Sequence, residues 1–124
     1  GLDNLAFDSR GRLFVTSMTD NGIYLVDKQT GAHRTIVEGK LAVPSDLAVT
    51  PDGGKDTVHV ADVFRYRKVD GANGDVTDVL RVHGETHAYP IGISVGPNNV
   101  LLTSWFSNTV EKVDRKTGKS VATR

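Results

Sequence analysis

The densest cluster of potential metal ligands in this chain is His83-Gly-Glu-Thr-His87. In an extended segment residues two apart point the same way. His83, Glu85 and His87 would then share a face and offer nitrogen, oxygen and nitrogen donors to zinc. The spacing is not that of a helical His-Glu-x-x-His site, and Gly84 loosens it, so a solvated connector is the competing expectation. A second group is made of loop oxygens and polar rings: Asp3, Asn4, Asp20, Asn21, Ser45, Asp46, Asp62, His87, Tyr89, Trp105 and Asn108. Such oxygens suit a hard cation or a polar ligand, yet Asp and Asn are equally what tight turns require. Phe64-Arg-Tyr-Arg-Lys68 interleaves aromatic and basic residues, as surfaces for single-stranded nucleic acid do. The chain, however, balances 15 basic against 15 acidic residues. A solvated strand edge is therefore expected, and no nucleic-acid partner.

Other reactive side chains carry less. His59, between Val58 and Val60, reads as a packed or hydrogen-bonded core histidine, and His33 as part of a surface turn. The adjacent pair Trp105-Phe106 would floor a ligand pocket, contact a partner, or pack between neighbouring units. No serine or histidine stands in a recognisable nucleophile motif. Cysteine is absent, which removes disulfides and thiol chemistry. No apolar run approaches the ~18 residues of a membrane span, and no basic-then-apolar signal segment opens the sequence. No membrane partner is expected.

The elements that must position these residues come from a repeat. Asp27-Lys-Gln-Thr-Gly31 returns as Asp70-Gly-Ala-Asn-Gly74 and as Asp114-Arg-Lys-Thr-Gly118, each after a valine (Val26, Val69, Val113). The Asp-to-Asp spacings are 43 and 44 residues, a period that signals stacked supersecondary units. Aligning the copies gives units of about 1–39, 43–84 and 89–124. Each unit holds four short β-rich runs separated by turn residues, such as Leu5-Ala-Phe7, Leu13-Phe-Val-Thr16, Ile23-Tyr-Leu-Val26 and Arg34-Thr-Ile-Val37 in the first. That pattern predicts four antiparallel strands per unit and no helix. Val110 and Val113 are three apart on one strand and must point to opposite faces. Apolar residues on both faces suit sheets packed on both sides by their neighbours. The expected fold is all-β: three four-stranded β-propeller blades forming an incomplete ring, since closed propellers have about four to eight. The remaining blades would come from a longer chain or from a second copy.

Asn21-Gly-Ile-Tyr-Leu-Val-Asp27 and Asn108-Thr-Val-Glu-Lys-Val-Asp-Arg-Lys-Thr-Gly118 resemble blades of NHL-repeat and gluconolactonase (regucalcin-like) propellers. Pro90-Ile-Gly-Ile-Ser-Val-Gly-Pro97 is similar to repeats of virginiamycin B lyase propellers. The resemblance to regucalcin-like enzymes implies a divalent cation (calcium, zinc or manganese) that polarises a lactone for hydrolysis. The ligand positions it implies fall on Asp3 or Asn4, on Ser45 or Asp46, and on Ile91, which has no ligating atom. The lyases' histidine and acids have no match in Ser104-Trp-Phe-Ser-Asn108. The function expected is thus a propeller segment acting as a scaffold for a small-molecule or protein ligand, non-catalytic by itself. Part of a metal-dependent lactonase is the alternative. The ligand-binding rim is expected at Asp3, Asn4, Ser45, Asp46, Asp62, His87, Tyr89 and Trp105, and the metal candidates are Asp3, Asp46, His83, Glu85 and His87.

Overall fold

In a computed structural model, residues 1–81, 90–104 and 107–124 are described, and among them there is no helix. Twelve strands form three sheets. The first holds β1 (Leu2–Phe7), β2 (Leu13–Ser17), β3 (Gly22–Val26) and β4 (His33–Val37). The second holds β5 (Pro44–Asp52), β6 (Lys55–Asp62), β7 (Arg65–Asp70) and β8 (Val76–Arg81). The third holds β9 (Pro90–Val95), β10 (Asn99–Ser104), β11 (Val110–Asp114) and β12 (Ser120–Thr123). Within each sheet the strands are neighbours in chain order and antiparallel throughout. These are three propeller blades, blade 1 to blade 3, with β1, β5 and β9 adjacent as the inner strands.

The repeated Asp-to-Gly stretch is the turn between third and fourth strands of each blade, and its chemistry explains its recurrence. The aspartate Oδ1 accepts from the backbone N–H of Gln29 and Thr30 in blade 1 (2.8 and 3.0 Å). It does the same with Ala72 and Asn73 in blade 2 (2.8 and 3.1 Å) and with Thr117 in blade 3 (2.7 Å). These N–H donors favour the ionised form and hold Asp27, Asp70 and Asp114 below the usual carboxylate range. The closing glycine donates back to the aspartate carbonyl oxygen at 2.8–2.9 Å. It does so with φ of 74, 77 and 69° at Gly31, Gly74 and Gly118, a backbone that L side chains rarely adopt. At Gly74 a Cβ would also collide with the Ile36 carbonyl oxygen of blade 1.

The core lies between blades. Phe14, Ile23, Ile36 and Val37 of blade 1 pack with Leu47, Val58, Val60 and Val69 of blade 2. Ala61 and Tyr66 of blade 2 pack with Ile93, Val100, Leu102 and Val113 of blade 3. Pairing register fixes this arrangement: Leu47↔Val60, Val58↔Val69 and Val49↔Val58 put one set of side chains toward blade 1. Ala48↔His59↔Lys68 and Ala61↔Tyr66 put the other set toward blade 3. Each blade therefore has a preceding face and a following face, and a one-residue slip would exchange them. Val113 is buried while Val110 is 40 % exposed, as opposite faces of one strand require.

Candidate functional site

Antiparallel order places the loops that enter the first strands, and those between second and third strands, on one rim. The loops between first and second strands and the Asp-to-Gly turns form the other. Most of the rim acids and amides singled out from the sequence lie on the first rim, where their polar atoms are engaged by the fold. Asp62, fully buried at the end of β6, accepts from the backbone N–H of Ala42 (2.9 and 3.0 Å) and Val43 (2.7 Å). It also accepts from Arg67 Nη1 at 3.0 Å. It thereby ties the connector between blades 1 and 2 to β6. Asp46 takes the Leu47 N–H on Oδ1 (2.9 Å) and the Ile93 N–H of blade 3 on Oδ2 (2.8 Å). Gly92 of blade 3 lies beside that carboxylate, and a Cβ there would collide with Thr103 Oγ1 of the neighbouring strand β10. Ser45 Oγ is directed at the carbonyl oxygens of Ala61 (3.1 Å) and Pro90 (3.3 Å).

Blade 1 offers the more open groups. Asp3 and Asn4 are exposed, and Asn4 Oδ1 accepts from the adjacent Leu5 N–H at 2.9 Å. Asp20 accepts from Ser17 Oγ (2.8 Å) and Tyr24 Oη (2.9 Å), which holds its carboxyl below the usual range. Asn21 and Asn108 have φ of 50 and 53° and serve as left-handed turn residues. No hydrogen bond or ion pair among the described residues joins any two of Asp3, Asn4, Ser45, Asp46 and Asp62. Among the described residues, no three His, Asp or Glu side chains are grouped closely enough to hold a metal ion. His83, Glu85, His87, Tyr89 and Trp105 lie outside the described residues.

The opposite rim carries what the residue-by-residue reading missed. Arg12 donates to Asp8 Oδ2 through Nε at 2.7 Å and pairs with Asp56 of blade 2, which Arg10 also reaches at 3.3 Å. Burial of Asp8 opposes its ionisation, but hydrogen bonds from Arg12 and from the Arg10 N–H outweigh that and lower its pKa. At the next boundary Arg115 of blade 3 pairs with Asp52 of blade 2 and donates to Thr50 Oγ1 at 3.0 Å. Thr50 in turn contacts Asp52 Oδ2 (2.9 Å) and His59 Nε2 (2.8 Å), while His59 Nδ1 meets Tyr66 Oη at 2.5 Å.

Donor and acceptor counting assigns the protons in this chain. An ionised carboxylate only accepts, so the single Thr50 proton goes to Asp52. Thr50 Oγ1 then accepts from His59 Nε2–H, and His59 Nδ1 accepts from the Tyr66 hydroxyl. A hydroxyl that receives a proton donor from histidine is not a nucleophile activated by a base. The network is a buried polar link. Burial pushes His59 down to about 4, helped by the positive charges of Lys68 and Arg115, and pushes the Tyr66 phenol up. Every buried polar side-chain atom among the described residues has a partner. The two-residue turn Val63-Phe64 pairs Asp62 with Arg65 and so brings Tyr66 diagonally beside His59; neither residue carries a turn signature, so the sequence held no cue to this pairing.

Three cavities also open on this second rim. One of about 310 Å³ is lined by Arg10, Arg34, Lys55, Asp56, Asp70 and Asn73. One of about 670 Å³ is lined by Asp52, Lys68, Asn98, Asp114, Arg115 and Lys116. A third, about 340 Å³, has Arg12, Leu25, Val26, Asp27, His33 and Arg34 on its walls. None contains a candidate residue from the first rim.

No protein-family model matches the chain, and no curated protein sequence does. Solved structures do match its fold. A nidogen/laminin complex aligns at 20 % identity and TM-score 0.69 over 92 % of this chain and 43 % of that one. Virginiamycin B lyase from Staphylococcus aureus aligns at 14 % identity and TM-score 0.71 over 99 % of this chain and 40 % of the lyase. Hydrazine synthase from Kuenenia stuttgartiensis aligns at 22 % and 0.70 over 99 % and 35 %. The chain spans less than half the length of each. At these identities the likeness is one of fold: the chain is a partial β-propeller.

Proposed function

We propose that this chain is a ligand- or protein-binding propeller scaffold, divided into blades at about 1–39, 43–84 and 89–124, and non-catalytic by itself. The observation that carries this reading is the use made of the first-rim acids. Both oxygens of Asp46 and both of Asp62 accept from backbone N–H or arginine, so the carboxylates hold blades and connectors together. Propellers host many unrelated activities on one frame, and rigid blades with variable loops are a natural support for binding. The nidogen/laminin likeness accords with a propeller used for contact with another macromolecule.

The rival reading, part of a metal-dependent lactonase, needs Asp46 to hold a divalent cation. The two are separated by incubating the chain with a sugar lactone and calcium, zinc or manganese, with and without chelator. The scaffold reading predicts hydrolysis at the buffer rate and no metal-induced rise in melting temperature. Chelator-sensitive hydrolysis that disappears in Asp46→Ala would replace it with the lactonase.

A further inference from the structure

Arg34 stands on the face of blade 1 that blade 2 covers, because the register sets it beside Leu25 and Leu25 beside Phe14. Phe14 is buried in the core between the two blades, whereas Arg34, at the outer end of the same row, is exposed. It lines the second-rim cavity of about 310 Å³ with Arg10 and Arg12 of blade 1 and with Lys55, Asp56 and Asp70 of blade 2. Lys55 reaches this place because it follows the two-residue turn Gly53-Gly54. The φ values there, 59 and 82°, are those of a type I′ hairpin.

The charges in this cavity do not balance. Four cations face two carboxylates, and both carboxylates are already committed. Asp70 Oδ1 accepts from the N–H groups of its own turn at 2.8 and 3.1 Å. Asp56 pairs with Arg12 and, at 3.3 Å, with Arg10. Lys55 adds its field to Asp70, and among the described residues Arg34 has no ion-pair partner. The surplus is two positive charges, and a phosphate monoester carries about −1.5 to −2 near neutral pH. Arg12 and Arg34 also line the cavity of about 340 Å³, whose other walls include Leu25, Val26 and Ala32. The same two arginines thus border a charged compartment and a more apolar one, each of small-ligand size.

We infer that the second-rim cleft between blades 1 and 2 binds a small organic phosphate monoester. The phosphate group sits on Arg10, Arg34 and Lys55, and the apolar body of the ligand lies against Leu25, Val26 and Ala32. Arg34 supplies a planar fork that matches phosphate oxygens, and Lys55 a flexible point charge. Arg12, held by Asp8 at 2.7 Å and by Asp56, is a fixed part of the wall. The cleft between blades 2 and 3 provides the contrast. There Thr77 takes the position of Arg34, and Arg115 is tied to Asp52 and Thr50. Lys68, Arg115 and Lys116 face Asp52 and Asp114 in that cleft, a surplus of one charge. The inference rests on the binding-scaffold reading and adds the site and the chemistry of the ligand.

NMR titration read at single amides tests it, at low ionic strength where screening is weakest. Phenyl phosphate is expected to saturate and to shift the amides of Arg34, Lys55, Ala72 and Asn73. Inorganic phosphate lacks the apolar body and phenyl sulfate is a monoanion, so each is expected to bind about tenfold more weakly. Arg34→Gln and Lys55→Gln change exposed side chains. Each should keep a dispersed spectrum and weaken phenyl phosphate about tenfold. Lys116→Gln, in the other cleft, should change its affinity less than about twofold. Failure of phenyl phosphate to saturate, equal affinity for the three anions, indifference to Arg34→Gln, or an equal loss in Lys116→Gln would each overturn the inference. Any of these in a chain with a dispersed spectrum leaves the scaffold reading standing. Chelator-sensitive lactone hydrolysis would remove that reading without altering the phosphate result.

Discussion

His59 makes the stability of this domain depend on mild acid. The ring is fully buried between blades 2 and 3, accepts from Tyr66 and donates to Thr50, and has Lys68 and Arg115 as positive neighbours. Its pKa falls from 6.5 to about 4. Unfolding returns it to 6.5, so the unfolded chain binds the extra proton between these values and native stability declines as pH falls. At ~1.4 kcal/mol for each tenfold change in proton affinity, the full loss is about 3 kcal/mol. It is absent at pH 7.5, begins near pH 6.5 and is nearly complete near pH 4. The aspartates whose pKa is lowered behave the same way but below about 3.8, so the two windows separate. Blade 1 suggests the control: Phe14 occupies the position of His59, and His59→Phe keeps a buried ring without a titrating group. This variant leaves the Tyr66 hydroxyl unpartnered and is expected to lose about 1–3 kcal/mol at pH 7.5. Urea unfolding at half-unit steps from pH 7.5 to 4.5 supplies the measurement. The wild-type midpoint is expected to drop steadily below pH 6.5, and the variant to lack most of that slope. Equal slopes in the two proteins would refute the reasoning.

Other substitutions probe other links. Val63 holds φ of 49° in the two-residue hairpin between β6 and β7, a conformation costing a β-branched residue about 1–2 kcal/mol. Val63→Asn should raise stability by about 1 kcal/mol in thermal unfolding, and a neutral or lower melting temperature would contradict the strain. Asp62→Ala leaves the Ala42 and Val43 N–H groups without their acceptor, while Arg67 keeps Asp78 and the Lys40 carbonyl oxygen. At about 1–3 kcal/mol for each buried donor left unmet, it should cost about 3 kcal/mol, measured by denaturant unfolding; a loss under ~1 kcal/mol would show that the connector is held otherwise. Gly74→Ala meets both the left-handed backbone and the Ile36 carbonyl, and should destabilise more than Gly31→Ala, whose Cβ meets open space.

The repeat was the legible part of this sequence. A period set by three aspartate turns, with valines before each, gives the strand count, the antiparallel order and the two-faced packing, because turn chemistry and side-chain alternation are local. The roles of the rim acids were not legible. Asp46 looks like any loop carboxylate until its Oδ2 is seen on the Ile93 N–H, 47 residues away. Asp62 likewise depends on a connector twenty residues back. The Arg12–Asp56 and Arg115–Asp52 pairs span 44 and 63 residues. Such partners are chosen by how blades stack, which pattern along one strand does not encode. His59 was half legible: its place between valines implied burial, while Thr50 and Tyr66 became its partners only through the hairpin register.

First-rim carboxylates serve the fold: Asp46 joins blade 2 to blade 3, and Asp62 fixes the connector ahead of β5. Amide hydrogen exchange in Asp46→Ala, read at single residues by NMR, tests the first claim most directly. Loss of the acceptor should speed exchange at Ile93 and Leu47 at least tenfold while Val58 and Val60, deep between blades 1 and 2, change far less. Unchanged protection at Ile93 would contradict the claim and return Asp46 to the pool of groups available for a ligand.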